Sequence, residues 1–214
     1  MANSHDARTV LVTGGTGYLA GWVIAALLAR GYRVRTTVRS PGKAQQVRDA
    51  VSEQAGEKAA ATIEFVAADL LSDDGWDQAA AGTDYVLHAA SPLPFDAGAD
   101  LIATAREGTR RVLAAAACAG VRRAVLTSSG VTAEAASPGT PATETGWSAP
   151  SGTWARAYPD SKILAERDAF ELAETTGLEL TAVLPTFMQG PVPGSRSPWT
   201  YFSRPSILKP SAEG

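Results

Sequence analysis

The chain has 214 residues, 45% of them apolar and 19% charged, with a formal net charge of −3. That length supports one domain with a substantial core and is short for two full domains, while an acidic balance (pI about 5.4) and scattered basic residues exclude a broad attraction to nucleic acid. One cysteine, Cys118, excludes an internal disulfide and a cysteine-built metal cluster.

Residues 1–7 are polar and carry no basic-then-apolar signal pattern. The most apolar stretch, 20–29, falls short of the roughly 20 residues that cross a bilayer. A cytoplasmic protein with no membrane partner is therefore expected. Hydrophobic period assigns the elements in chain order. Residues 9–13 (TVLVT) form a β-branched apolar run, and 18–30 carry helical spacing through Leu19, Val23, Leu27 and Leu28, closed by Gly31. A strand over 33–38 leads to a polar helix over 41–54, with Pro41 in its first turn. A third strand over 62–66, a short helix over 73–81 and a fourth strand over 84–88 (DYVLH) follow. Past a loop with Pro and Gly, 100–119 is a long alanine-rich helix ended by Gly120, and strand five lies at 124–127 within RRAVLTSS. The stretch 137–152, crowded with Pro, Gly, Ser and Thr, is expected to be a long loop. Helical period returns over 153–176, Gly177 ends it, and 178–184 is strand six.

Short apolar strands alternating with helices imply a parallel sheet covered on both faces. Right-handed crossovers make the doubly wound, three-layer α/β/α arrangement, a Rossmann fold, the economical topology. The expected division is a dinucleotide-binding domain over 1–190 and an irregular tail over 191–214. The segment 190–214 holds five prolines and no helical period.

Directly after strand one comes Gly14-Gly15-Thr16-Gly17-Tyr18-Leu19-Ala20-Gly21. Gly14 permits the tight turn out of the strand, and Gly17 lets backbone approach a pyrophosphate seated at the N-terminus of the next helix. Ala20 is small enough for close helix–strand packing. A glycine cluster alone is a tight turn, but its place between a strand and a helix is the context dinucleotide binding requires. Gly14, Thr16, Gly17, Tyr18 and Leu19 are the expected contacts.

Tyr158 and Lys162 lie four apart on one predicted helix, so both project from one face. A free phenol, with a pKa near ~10, is a poor acid–base at neutral pH; a lysine cation one turn away favours the phenolate. The glycine spacing and Y-x-x-x-K together resemble the short-chain dehydrogenase/reductase superfamily. The similarity is to its extended branch, which includes dihydroflavonol-reductase-like enzymes and NAD-dependent epimerase/dehydratases. It runs in order through TGGTGYLAG, TTVR, AADL, HAASP, EGT, RRAVLTSS, YPDSK and LPT, from about residue 9 to 191.

At the end of strand two an acidic residue would hold the adenosine ribose of NAD(H). Arg39 stands there, with Lys43 nearby, which suits a 2′-phosphate. NADP(H) is the expected cofactor and NAD(H) the second choice. The resemblance implies adenine contacts at Asp69 and Leu70, and backbone at Ala89, Ala90 and Ser91 on the ribose and nicotinamide side. Pro185, in PTF after strand six, is expected beside the nicotinamide. His88 is read as a packed histidine rather than a base, since no cysteine or second histidine stands ready to join it.

Thr127-Ser128-Ser129-Gly130 ends strand five at the ligand-binding edge of the sheet. The family pattern places the catalytic hydroxyl at Ser129, with Ser128 as the alternative. The implied chemistry has Ser129 and Tyr158 hold a carbonyl or alcohol oxygen while Tyr158 moves the proton. Lys162 stabilises the phenolate and bonds the nicotinamide ribose. Glu107 precedes Gly108-Thr109 where many relatives carry asparagine, so no fourth member is assigned. The resemblance implies a small or aromatic carbonyl or alcohol as the substrate. Extended-branch members continue past strand six into a substrate lobe to which 195–214 does not align. A non-enzymatic nucleotide sensor on the same scaffold, or a truncated inactive reductase, therefore stays open beside the reductase. The resemblance implies a monomer or a homodimer formed through helices 100–119 and 153–176.

Overall fold

The computed structural model describes residues 8–93, 100–135 and 139–191. Among them six strands form one parallel sheet in the order β3-β2-β1-β4-β5-β8. These strands are β1 (Thr9–Val12), β2 (Arg33–Val38), β3 (Glu64–Ala67), β4 (Tyr85–His88), β5 (Arg123–Thr127) and β8 (Glu179–Val183). The helices are α1 (Tyr18–Ala29), α2 (Ala44–Ala55), α3 (Glu57–Ala61), α4 (Trp76–Ala80), α5 (Leu101–Cys118) and α6 (Ala157–Thr176). The doubly wound topology is the one expected from the alternation of periods.

Side-chain alternation on β1 explains the layering. Val10 and Val12 point to one face, where they pack with Ile24 of α1, Val47 and Val51 of α2 and Ala60 of α3. Leu11 points to the other, joining Trp76 of α4, Val112 and Leu113 of α5 and Ala169 of α6. The parallel register sets Val10 beside both Val34 and Tyr85, so β1 lies between β2 and β4, and both neighbours run past its end at Val12. Chain order leaves β1 toward β2 on one side and toward β4 on the other. That reversal opens a crevice at the C-terminal ends of β1 and β4.

Several local readings change. The 41–54 helix begins instead as a 3-10 turn at Pro41–Lys43 before α2, and α3 was not anticipated at all. The 137–152 loop contains β7 (Ala142–Trp147), which pairs antiparallel with β6 (Ala133–Ala135). Turn-forming residues hid this small sheet. Its anchor is tertiary: Trp147 meets Phe170 of α6 edge-on at 5.9 Å, under the Arg167 guanidinium. The helix expected over 153–176 starts with a 3-10 turn at Trp154–Arg156. Residues 192–214, most of the expected tail, lie outside the described residues. No described helix is long and apolar enough to cross a membrane.

Candidate active site

The crevice widens into a cleft of about 1070 Å³, lined by the loops that follow β1, β2, β3, β4, β5 and β8 and by the start of α6. At its floor the glycine turn is held from two sides. Gly14 takes φ +71, a conformation that favours glycine, and its N–H donates to Thr37 Oγ1 at 2.9 Å. Gly15 N–H donates to the Thr37 carbonyl at 2.8 Å, and Gly17 N–H to the Gly14 carbonyl at 2.7 Å. A Cβ on Gly15 would sit 2.5 Å from Thr36 Oγ1, so glycine is demanded there by the β2 strand. The sequence reading had given Gly15 no role. Gly17 is the N-cap of α1 and supplies no side chain, and the first turn of α1 carries no acidic residue. The positive end of a twelve-residue helix therefore faces the cleft, backbone N–H groups first.

At the β2–β3 end, Arg39 lies exposed on the cleft wall with Asp69, Leu70 and Leu71. Lys43 is exposed in the 3-10 turn beyond and does not line the cleft, so the expected pairing of Arg39 with Lys43 reduces to Arg39. Two groups that periodicity did not single out shape this wall. Trp76 Nε1 is shared between the carbonyls of Asp69 (3.2 Å) and Ser72 (3.0 Å) and so fixes the 69–72 turn. Gly108 of α5 leaves room for Leu70, whose side chain a Cβ there would meet at 2.7 Å.

Under the crevice His88 is 1% exposed. Thr13 Oγ1 accepts the N–H groups of Ala89 (3.1 Å) and Ala90 (3.0 Å), which leaves its own proton for His88 Nδ1 at 2.8 Å. Nε2 must then carry the ring proton and donate to Thr109 Oγ1 at 3.3 Å. Burial first, and the Lys162 charge second, push the His88 pKa down to about 3. The neutral imidazole thus pins the turn where Ala90 approaches Gly14, in agreement with its reading as a packed residue. The exposed Glu107 pairs with Arg110 and does not line the cleft.

Ser129, after β5, and Tyr158 and Lys162, in the first turns of α6, all line the cleft. Ser129 Oγ accepts the Val131 N–H at 3.4 Å and caps a 3-10 turn, so its hydroxyl proton is left to donate elsewhere. Ser128 Oγ instead donates to the buried Glu166 carboxylate of α6. The Lys162 ammonium donates to the Thr127 carbonyl at 3.3 Å and is 7% exposed. Burial pulls its pKa down to about 8, with the Glu166 charge acting in the opposite sense. Asp160, one turn into α6, accepts from the N–H groups of Ser151 (2.9 Å) and Gly152 (2.8 Å) and from Ser151 Oγ (3.1 Å). These bonds, the Ser151 N–H foremost, hold its carboxyl below the usual carboxylate range. They also tie the loop ahead of α6 to the turn that carries Tyr158. Neither Asp160 nor Glu166 was singled out from sequence, although Glu166 stands four residues after Lys162 on the same face.

The segment after β8 crosses back over α1. Trp22 Nε1 donates to the Pro191 carbonyl at 3.1 Å, and Gly190 lies against the Tyr18 hydroxyl. Pro185, Thr186, Phe187 and Met188 line the cleft on this side, with Phe187 86% exposed. Every site residue expected from sequence lines the cleft except Lys43; Ala89, Ala90, Ser91, Thr16 and Leu19 are among them. Among the described residues no group of three or more His, Cys, Asp or Glu side chains is placed to hold a metal ion.

Comparison with known proteins gives the same picture. The chain is 35% identical to tetraketide alpha-pyrone reductase 2 of Arabidopsis thaliana over 93% of its own length and 64% of that protein. It is 37% identical to cinnamoyl-CoA reductase 1 of Oryza sativa subsp. japonica over 89% of its length and 56% of that protein. It therefore spans about six tenths of the curated relatives it matches. Its fold superposes on yeast methylglyoxal/isovaleraldehyde reductase complexed with NADPH with a TM-score of 0.74 and 27% identity, over 86% of this chain and 59% of that one. Vestitone reductase from alfalfa superposes with a TM-score of 0.65 at 28% identity, over 82% of this chain and 56% of that one. The NAD dependent epimerase/dehydratase family model matches residues 10–204, nearly the whole chain, and with the sheet order and glycine turn above, the chain belongs to that family.

Proposed function

We propose that this chain binds NADP(H) and reduces a small or aromatic carbonyl, or oxidises the corresponding alcohol, with Tyr158 as the general acid–base. The observation that carries the reading is that Ser129, Tyr158 and Lys162 line the same cleft as the glycine turn, with Lys162 bonded to the Thr127 carbonyl two residues before Ser129. The residues fit the cofactor: the cleft is large enough for a dinucleotide, and its floor is a glycine turn where the uncapped N-terminus of α1 presents backbone N–H groups. In this proposal residues 1–190 form the dinucleotide-binding unit.

Gly14, Thr16, Gly17, Tyr18 and Leu19 would hold the pyrophosphate, Asp69 and Leu70 the adenine, and Ala89, Ala90, Ser91 and Pro185 the ribose and nicotinamide side. Arg39, a planar donor fork in place of a carboxylate, favours a 2′-phosphate. The NADPH in the superposed yeast reductase supports this choice. When bound, the nicotinamide supplies or accepts the hydride. Ser129 donates its uncommitted proton to the substrate oxygen. Tyr158 gives that oxygen a proton in reduction, or takes one in oxidation. Lys162, charged and desolvated, stabilises the phenolate left behind. Pro92, Leu93, Val131, Phe187 and Met188 also line the cleft, and these apolar side chains suit a hydrophobic carbonyl.

NADPH consumption against a panel of aldehydes and ketones tests the reading. Tyr158→Phe is expected to lower kcat by about 10²- to 10⁴-fold, the usual share of general acid–base catalysis, with NADPH affinity retained. Binding of NADPH by the wild type with no turnover of any carbonyl would select a non-enzymatic sensor instead.

A further inference from the structure

α6 grips the end of β5 one helical turn at a time. Lys162 holds the Thr127 carbonyl, and one turn later Glu166 holds the Ser128 hydroxyl. Ser128 is fixed from its other side as well, its N–H donating to the Val183 carbonyl at 2.9 Å. Of the two serines that follow, Ser129 is the one whose hydroxyl proton is uncommitted. Glu166 is only 5% exposed, in the middle of a twenty-residue helix. A buried carboxylate is expensive unless compensated, and the compensation here is one hydroxyl and the Lys162 ammonium one turn earlier on the same face.

We propose that Glu166 is a positioning residue for the reaction: it supplies the buried counter-charge that keeps Lys162 an ammonium, and it pins Ser128 so that, of the two serines, Ser129 presents its hydroxyl to the substrate. The catalytic half rests on the reductase reading above; the electrostatic half does not. Other titratable groups around Lys162 do not replace Glu166. Tyr158 carries charge only as the phenolate the reaction makes, and His88, beneath on β4, is held neutral by its two threonines. The cleft-facing residues at the end of β5 are hydroxyl or apolar, those after β8 are uncharged, and Arg39 and Asp69 stand at the far β2–β3 end. The direction of the Glu166 effect on Lys162 agrees with this geometry.

The test is the titration of the Lys162 ε-carbon by ¹³C NMR, readable because the chain has four lysines, with Lys162→Arg for assignment. Glu166→Gln keeps the shape and the acceptor for Ser128 and removes only the charge. Its Lys162 midpoint is expected to fall by at least about one pH unit, a tenfold loss of proton affinity. Glu166→Asp, which keeps the charge, should restore most of that unit. In active enzyme the basic limb of kcat against pH should move by the same amount, with NADPH affinity at pH 6 unchanged within about threefold. Ser128→Ala should leave the Lys162 midpoint in place but lower kcat at least tenfold with NADPH affinity retained. An unchanged or raised midpoint in Glu166→Gln overturns the counter-charge role. Wild-type kcat in Ser128→Ala overturns the pinning role, and that arm stands even where Glu166→Gln does not fold. A wild type without turnover on any carbonyl sinks the reductase reading and the pinning role with it, while the NMR titration still decides the counter-charge.

Discussion

Two side chains make the residue-scale argument concrete. His88 reads from sequence as a packed residue rather than a base, and donor counting supplies the reason. A ring nitrogen that must accept from Thr13 has no place for a second proton. We expect ¹⁵N shifts of His88 to show protonation at Nε2 only, constant from pH 8 to pH 5; a protonated Nδ1 in that range would contradict the hydrogen-bond assignment. Arg39 has the opposite character, exposed on the cleft wall with nothing buried to stabilise. Its worth should appear only when a phosphate is present. Arg39→Ala is expected to weaken NADPH binding by about tenfold to a hundredfold, the range of one or two charge-assisted bonds, and to leave NADH binding unchanged. Fluorescence titration with both nucleotides checks this, and unaltered selectivity would remove Arg39 from the phosphate site.

At the scale of elements, the site exists because neighbouring segments leave room for one another. The glycine turn after β1 is shaped by β2, whose Thr36 occupies the space a side chain on Gly15 would need and whose Thr37 takes two of the turn's N–H groups. Gly15→Ala should therefore do two things at once. Forcing the buried Thr36 aside is expected to lower stability by about 1–3 kcal/mol, the usual range for overpacking. Displacement of the turn should weaken nucleotide binding at least tenfold. Chemical denaturation and NADPH titration separate the two effects, and a variant with wild-type affinity would show that the turn tolerates a side chain there. The small β6–β7 sheet illustrates the same dependence. Its sequence offers turn formers, and its strands persist because Trp147 finds Phe170 on α6.

For the whole molecule, the buried groups under the cleft tie stability to pH. The folded pKa of His88, about 3, lies below its unfolded value of 6.5. The unfolded chain therefore binds more protons between those values, and stability is fully present above pH 6.5 and lost as pH falls. Between pH 7 and pH 5 this one group should remove about 2 kcal/mol. Urea midpoints at the two pH values test this, and a His88→Gln variant should show a flatter acid slope. An equal slope in both proteins would mean that the protonation of His88 is not what the fold resists. Lys162 works in the other window. Its folded pKa, about 8, is below the unfolded 10.5, so the cost of burying the ammonium is present at neutral pH and recedes as pH rises above 8. The molecule carries that cost at the site where the proposed chemistry needs a charge.

The sequence by itself determined the order of the six parallel strands and of the helices between them apart from α3, the doubly wound sheet and the stretches that meet at its C-terminal edge. All three follow from hydrophobic period, glycine punctuation and the handedness of crossovers, which are local or nearly so. Tyr158, Lys162 and the glycine turn were legible for that reason, each being a spacing within one element or one turn. Only the tertiary structure decided that the hydroxyl proton of Ser128 is engaged and that of Ser129 is not, that His88 is a neutral brace, that Lys43 stands outside the cleft and that Asp160 and Glu166 support α6. Those assignments depend on which donors and acceptors face one another across 38 or 75 residues of chain, and on how far each is removed from water. No pattern within a single element carries that information.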